Sequence, residues 1–179
     1  KLVVSLGNRS LCEIICCLKK SQESESERER AAAYFGLSEL IAACQRQMLI
    51  AHLEELVSLV KCGLCDKTSA VRCAAGGTFD SLYDVLKQRA IEEVVPSFLQ
   101  ALEVSQWESL LALKTFSALE FAFIYSIFVQ AHGNECMLAL QGLRQLLKVR
   151  GKMVLPFLVP QLTSPPMTAA HARALAALA

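Results

Sequence analysis

Strand-forming patterns are missing from this chain: no stretch alternates β-branched and polar residues as a half-buried strand does. Helix breakers are scarce too, with 8 glycines and 5 prolines in 179 residues. Neither sign of charge dominates, and 18 Lys and Arg against 17 Asp and Glu leave a formal net charge of +1. That balance argues against a domain whose main task is to neutralise many phosphates, while leaving room for a local basic ridge. A Gly-rich phosphate loop is lacking, and His52, His132 and His171 stand apart from any nucleophile or carboxylate at a recognisable spacing. No catalytic, cofactor, metal or small-molecule site is therefore assigned, and an enzyme is not expected. A charged leader running into an apolar stretch and a small-residue cleavage site is also absent. Both ends interrupt apolar patterns, Lys1-Leu2-Val3-Val4 at the start and Ala174-Leu175-Ala176-Ala177-Leu178-Ala179 at the finish, so a window on a longer protein is expected.

What is abundant points one way. Hydrophobic residues make up 54% of the chain, and Leu, Ala, Glu, Gln, Lys and Arg, all good helix formers, dominate it. The chain also repeats itself. Arg30, Ala32, Ala33, Leu37 and Leu40 recur as Arg72, Ala74, Ala75, Phe79 and Leu82, each 42 residues later. Glu13-Ile14-Ile15 precedes Glu55-Leu56-Val57 by the same 42. Two helices per unit at this period is the HEAT/armadillo size class.

A third copy begins at Ile91-Glu92-Glu93-Val94-Val95-Pro96, and Met153-Val154-Leu155-Pro156-Phe157-Leu158 repeats its Val-Pro pattern 60 residues on. Gln141-Gly142-Leu143-Arg144-Gln145-Leu146 echoes Phe35-Gly36-Leu37-Ser38-Glu39-Leu40, but Leu143 lies 64 residues after Phe79, so roughly 22 residues are extra. The expected fold is an all-α, HEAT/armadillo-like solenoid of helix pairs. Its units cover about 6–44, 47–87, 90–148 with an insertion at 107–133, and 152–179. Second helices are expected near 27–44, 69–87, 134–148 and 167–179. Ser24 with Glu27 and Ser105 with Glu108 have capping-box spacing. Ala32, Ala33, Gly36, Ala74, Ala75, Gly76 and Gly77 are small enough to let paired helices approach closely, so each unit buries a face on its neighbour.

The turn residue Asp66, followed by Val71-Arg72 and Ala74-Ala75, resembles the HEAT consensus. A narrower resemblance rests on Ser26-Glu27-Arg28-Glu29-Arg30, Gly36-Leu37-Ser38-Glu39-Leu40, Val95-Pro96-Ser97-Phe98-Leu99 and the stretch from Val154 to Pro166 with its Pro-x3-Pro-x4-Pro-Pro spacing. These are similar to the family of giant HEAT scaffolds called general control non-derepressible protein one. The likeness runs from about Leu6 to Ala179 outside 107–133. It implies a non-catalytic, cytoplasmic scaffold lying along stalled or collided ribosomes, which promotes activation of the starvation-responsive kinase of the initiation factor alpha subunit. It also implies a structural ladder in which a turn Asp meets a helix Arg of the neighbouring unit, with Arg30, Asp66 and Arg72 as its members here. The alternative is a generic HEAT adaptor in nuclear transport, the cytoskeleton or chromatin.

Other residues have plainer and sharper readings. Cys62-Gly63-Leu64-Cys65 with Cys73 has thiolate spacing suited to zinc, but a second C-x-x-C or a His pair is missing. The 8 cysteines are read instead as small core hydrophobes in a reducing compartment. The run from Gln22 to Arg30 reads either as a solvated turn whose acids suit a helix start or as a contact loop. Lys61, Lys67, Lys87, Arg89, Lys148, Arg150 and Lys152 lie near helix ends, where cations are favoured, and are the candidate edge for ribosomal RNA. The apolar residues between Trp107 and Gly133 are interrupted by Lys114 and Glu120, so a membrane span is not expected. They read either as a long buried helix or as a translated unremoved intron.

Overall fold

The computed structural model describes residues 2–103, 118–165, 167 and 169–178, and every regular element among them is helical. The order is α1 (Leu2–Gln22), α2 (Glu27–Ala43), α3 (Arg46–Ala51), α4 (Leu53–Leu64), α5 (Ser69–Leu86), α6 (Gln88–Glu103), α7 (Ala118–Thr163) and α8 (Ala169–Leu178). Contacts link α1 to α2 and α4 to α5, and they also link α2 to α5 and α5 to α7. The chain is an all-α solenoid in which successive second helices stack side by side.

Each helix forms where its apolar spacing gives it a side to bury. In α4, Leu53, Leu56, Val60 and Leu64 fall on one stripe and are buried, the helical spacing of a core-facing side. Helix α5 is enclosed on more than one side: Val71, Ala74, Ala75, Phe79, Leu82 and Leu86 all lie in the core. The chain leaves this helix at Lys87, whose φ of 58° is a conformation that favours glycine.

Several boundaries differ from the sequence-based expectations. The helix expected over 134–148 starts earlier, at Ala118, and runs on to Thr163 with a break at Arg150, where φ is −135° and ψ is 39°. Of the proposed insertion, 107–117 lies outside the described residues, whereas 118–133 is helical and continuous with the remainder of α7. The short α3 was not foreseen. The first N-cap is Ser26 rather than Ser24. Ser24 instead donates its hydroxyl to Glu29 and accepts the Ser26 amide at 3.2 Å, so the acidic partner sits five residues on, not three. Ser105 and Glu108 lie outside the described residues.

Small residues were assigned too broadly to the close contacts. Ala33, Ala74, Ala75 and Gly76 are buried, but Ala32, Gly36 and Gly77 are exposed. The tightest approaches involve Gly63, Gly76 and Gly142. A Cβ on Gly63 would enter the Tyr34 ring, one on Gly76 would meet Gln145 at 2.9 Å, and one on Gly142 would crowd Phe98. Tyr34 is fully buried and donates its hydroxyl to the Leu59 carbonyl at 3.1 Å. Thr78 of α5 donates back to the Tyr34 carbonyl at 2.8 Å, and Ser38 and Ser81 share a hydrogen bond of 2.8 Å. Burial raises the Tyr34 hydroxyl well above its usual range, so it remains a donor at any ordinary pH.

Two glycine substitutions separate these roles. Gly63→Ala displaces Tyr34 and should cost about 1–3 kcal/mol, more than the helix propensity it gains. Gly77→Ala meets nothing within 4 Å and should stabilise the chain by about 0.5–1 kcal/mol, because alanine loses less backbone entropy in a helix. Chemical denaturation of the two variants gives the sign of each. Equal effects at both positions would contradict the packing described.

Candidate functional site

Arg30 enters the site from the first turn of α2 and is 6% exposed. A buried guanidinium needs acceptors for its five N–H groups, and the fold supplies them from two units. Nε donates to Asp66 Oδ2 at 2.8 Å, and Nη2 donates to Asp66 Oδ1 and Thr68 Oγ1, both at 3.2 Å. Nη1 donates to the carbonyls of Ser24 and Glu25 at 3.0 Å each. Asp66 also accepts the Thr68 amide at 2.7 Å, which closes the turn into α5.

Arg72 repeats half of this arrangement. Its Nη1 donates to the carbonyls of Asp66 at 2.7 Å and Lys67 at 3.0 Å. Those carbonyls stand six and five residues before it, as Ser24 and Glu25 do before Arg30. The 42-residue period of the sequence is thus also a period of hydrogen bonding. Arg30, Asp66 and Arg72 meet in one network: Arg30 crosses to the next unit, and Arg72 holds its own turn.

Burial acts to raise the Asp66 carboxyl, but hydrogen bonds from Arg30 and the Thr68 amide outweigh it and hold the group below the usual carboxylate range. Asp66 therefore stays ionised through the physiological range. The pairing is a geometric device with no reactive group in it.

The seven candidate RNA-binding cations do not share one edge. Lys61 sits in the last turn of α4 and Lys67 in the turn between α4 and α5, both at the N-terminal end of α5. Lys87 and Arg89 lie at the opposite end, about 27 Å away for an 18-residue helix. Arg150 lies at that end as well, against Asp80, Tyr83 and Asp84 of α5, and it is flanked in the chain by Lys148 and Lys152. The separation arises from the reversal of direction between α4 and α5.

Carboxylates answer several of the cations. Arg150 pairs with both Asp80 and Asp84 and lies over the Tyr83 ring at 5.0 Å. Lys87 is 3.9 Å from Asp84, and Arg89 is 3.9 Å from Glu93. Arg150 is thus engaged by α5, although 29% of its side chain remains exposed. Lys61, Lys67, Lys148 and Lys152 form no ion pair with a described residue. The Asp80, Tyr83 and Asp84 receptor was missed, although its i, i+3, i+4 spacing on one helix is a legible signal.

The cysteines also depart from expectation. Cys12, Cys16, Cys17, Cys62 and Cys73 are exposed, Cys44 is buried and Cys65 is half-buried, so most are not core hydrophobes. Burial pushes the Cys65 thiol up to about 11, which disfavours the thiolate that metal binding needs. Among the described residues no three His, Cys, Asp or Glu side chains are grouped to hold a metal. A polar cleft of about 320 Å³ is lined by His52, Glu54, Glu55, Arg89 and Glu93. Its His52 and Arg89 face Glu55 and Glu93 at 3.8 and 3.9 Å, so its basic groups are answered by its own acids. No helix among the described residues is long and apolar enough to cross a membrane.

Comparison with known proteins agrees with this architecture. A family described as stalled ribosome sensor GCN1-like, HEAT repeats, matches residues 154–179. The chain is 32% identical over 169 residues to the mouse stalled ribosome sensor GCN1, covering 93% of this chain and 5% of that protein. It is 33% identical over 178 residues to the Dictyostelium discoideum eIF-2-alpha kinase activator GCN1, covering 99% of this chain and 6% of that protein. The Saccharomyces cerevisiae eIF-2-alpha kinase activator GCN1 is 26% identical over 179 residues, again 99% of this chain and 6% of the relative. No solved structure matches.

Asp66 gives the network a pH signature. Its carboxyl is lowered in the folded state, so its stabilising contribution is present above the unfolded value of about 4 and lost as pH falls through the folded one. Asp66→Asn should lower stability by about 1–3 kcal/mol at neutral pH, because it leaves a desolvated cation short of its counter-charge. The loss should shrink below about pH 4. Urea titrations of both proteins at pH 7 and pH 3 measure it, and a penalty equal at both values would contradict the pairing.

Proposed function

We propose, on the premise that this chain belongs to the GCN1 family, that it is a non-catalytic HEAT-repeat span of a cytoplasmic, ribosome-associated translational activator. The observation that carries this reading is the similarity along 93–99% of the chain to proteins named for stalled-ribosome sensing and eIF-2-alpha kinase activation. The chain spans only 5–6% of the length of those relatives. Ribosome association and kinase activation are therefore read for the longer protein, with this segment as one stretch of its rod. The proposed units follow the sequence repeat: about 6–44, 47–87, 90–148 with an insertion at 107–133, and 152–179.

What supports a mechanical role is that the Arg30–Asp66 and Arg150–Asp80/Asp84 pairs join separate helices to one another. A solenoid's stability is a sum of unit and nearest-neighbour terms, and the Arg30–Asp66 link is one such term. The rod would carry the geometric relation between distant binding regions, and local loosening would degrade it. Contact with ribosomal RNA is assigned to the α4–α5 end, through Lys61 and Lys67, because carboxylates already answer several cations at the other end.

Sedimentation of the longer protein with ribosomes through sucrose cushions at graded salt tests this. The wild type should co-sediment, with association falling as salt rises. Lys61→Glu with Lys67→Glu should weaken association and flatten its log–log salt slope by roughly one to two, the share of two lost phosphate contacts. Co-sedimentation with an unchanged slope would remove the RNA assignment. Failure of the wild type to sediment would remove the ribosome reading itself.

A further inference from the structure

Cys12 and Cys16 stand four residues apart in α1, the spacing that sets two side chains next to each other on one face of a helix. Both are exposed, and their thiols lie close enough to share a hydrogen bond. This face is the solvent face of the first helix in every unit. The matching positions are Glu54 and Ser58 in α4, Glu92 and Pro96 in α6, and Lys152 and Pro156 in α7, and all are exposed. Stacking of one unit on the next therefore leaves the face open. Packing accepts a carboxylate, a hydroxyl, a proline or a lysine there, so the two thiols do not serve as core hydrophobes.

Geometry decides what such a pair can do. Side chains four apart on a helix have Cβ atoms about 5–6 Å apart, whereas a disulfide needs about 3.5–4.5 Å. Closing that bond would distort α1. An ion between the sulfurs removes the conflict: at about 2.3 Å from each thiolate it holds them up to about 4.6 Å apart, and the helix keeps its shape. Zinc and iron–sulfur clusters take four ligands, and among the described residues no three His, Cys, Asp or Glu side chains are grouped to hold a metal. Copper(I) is a soft ion selected by thiolates, and two of them in line satisfy its closed shell. Cys17 follows Cys16 directly and so points to another side of the helix. Cys65 is half-buried, which leaves the Cys62–Cys65 pair less open.

We propose that Cys12 and Cys16 form a two-coordinate copper(I) site on the outer face of α1. This goes beyond the proposed scaffold role and does not rest on it. Each thiol gives its proton to solvent as its sulfur bonds the ion, and no electron changes hands. The charge of Glu55 on α4 reaches Cys12 more strongly than that of Lys19, so the local field favours a cation.

The test titrates this chain, reduced and free of oxygen, into copper(I) held by the coloured chelator bicinchoninate, whose loss of absorbance reports transfer. Transfer should saturate at one copper per chain. Cys12→Ser and Cys16→Ser should each abolish it, while Cys17→Ser and Cys62→Ser should leave it intact. X-ray absorption of the loaded protein should show two sulfur neighbours, and circular dichroism should show the same helix content with and without copper. All four positions are exposed, so the same spectra check that each variant is folded. Transfer indifferent to Cys12 and Cys16, or lost equally on Cys17→Ser or Cys62→Ser, would overturn the proposal in favour of adventitious thiol binding. No transfer to the wild type, together with a Cys12–Cys16 disulfide formed by hydrogen peroxide at unchanged helix content, would overturn it in favour of a redox pair.

Discussion

A guanidinium cannot be taken from water unless its donors are met and its charge is opposed. Arg30 satisfies both conditions only by drawing acceptors from two parts of the chain: the carbonyls just before its own helix and the Asp66–Thr68 turn of the next unit. That requirement fixes the first turn of α2 against the start of α5. With that end fixed, the rest of the α2–α5 contact can register. Thr78 reaches the Tyr34 carbonyl and Ser38 meets Ser81, while Tyr34 also sits on Gly63 of α4. The apolar burial supplies most of the stabilisation.

The far end of α5 is joined to the next unit by the opposite arrangement. There the array helix supplies the acids, Asp80 and Asp84, and the following unit supplies Arg150 where α7 breaks. One helix is thus tied at its N-terminal end to the unit before and at its C-terminal end to the unit after. In a solenoid assembled this way stability is a sum of unit and nearest-neighbour terms along its length. That suits a segment amounting to 5–6% of a much longer relative.

The fold was legible because the repeat is written in side chains that do the same work twice. Arg30 and Arg72 match in sequence and again in the carbonyls they hold. Asp66 and its arginine were implied by family likeness, and Arg30 and Asp66 are hydrogen-bonded to each other. Gly63 and Gly142 were not legible, since nothing local marks a glycine whose neighbour arrives from another helix. The seven cations were grouped by their nearness to helix ends, a property shared by both ends of a rod. Only the reversal of direction at Lys67 separates them. The cysteines misled for a related reason: their apolar neighbours in sequence lie on other faces of the same helices, so helical phase, and not composition, put most of them in solvent.

The central claim is that neighbouring units are coupled through the Arg30–Asp66 link. Native-state amide hydrogen exchange on wild type and Arg30→Gln tests it directly, because exchange reports stability segment by segment. Coupling predicts faster exchange in α2 and, in the same step, at the 66–72 turn and the first half of α5, with α6 little changed. Acceleration confined to α2, with the 66–72 turn as protected as before, would contradict it.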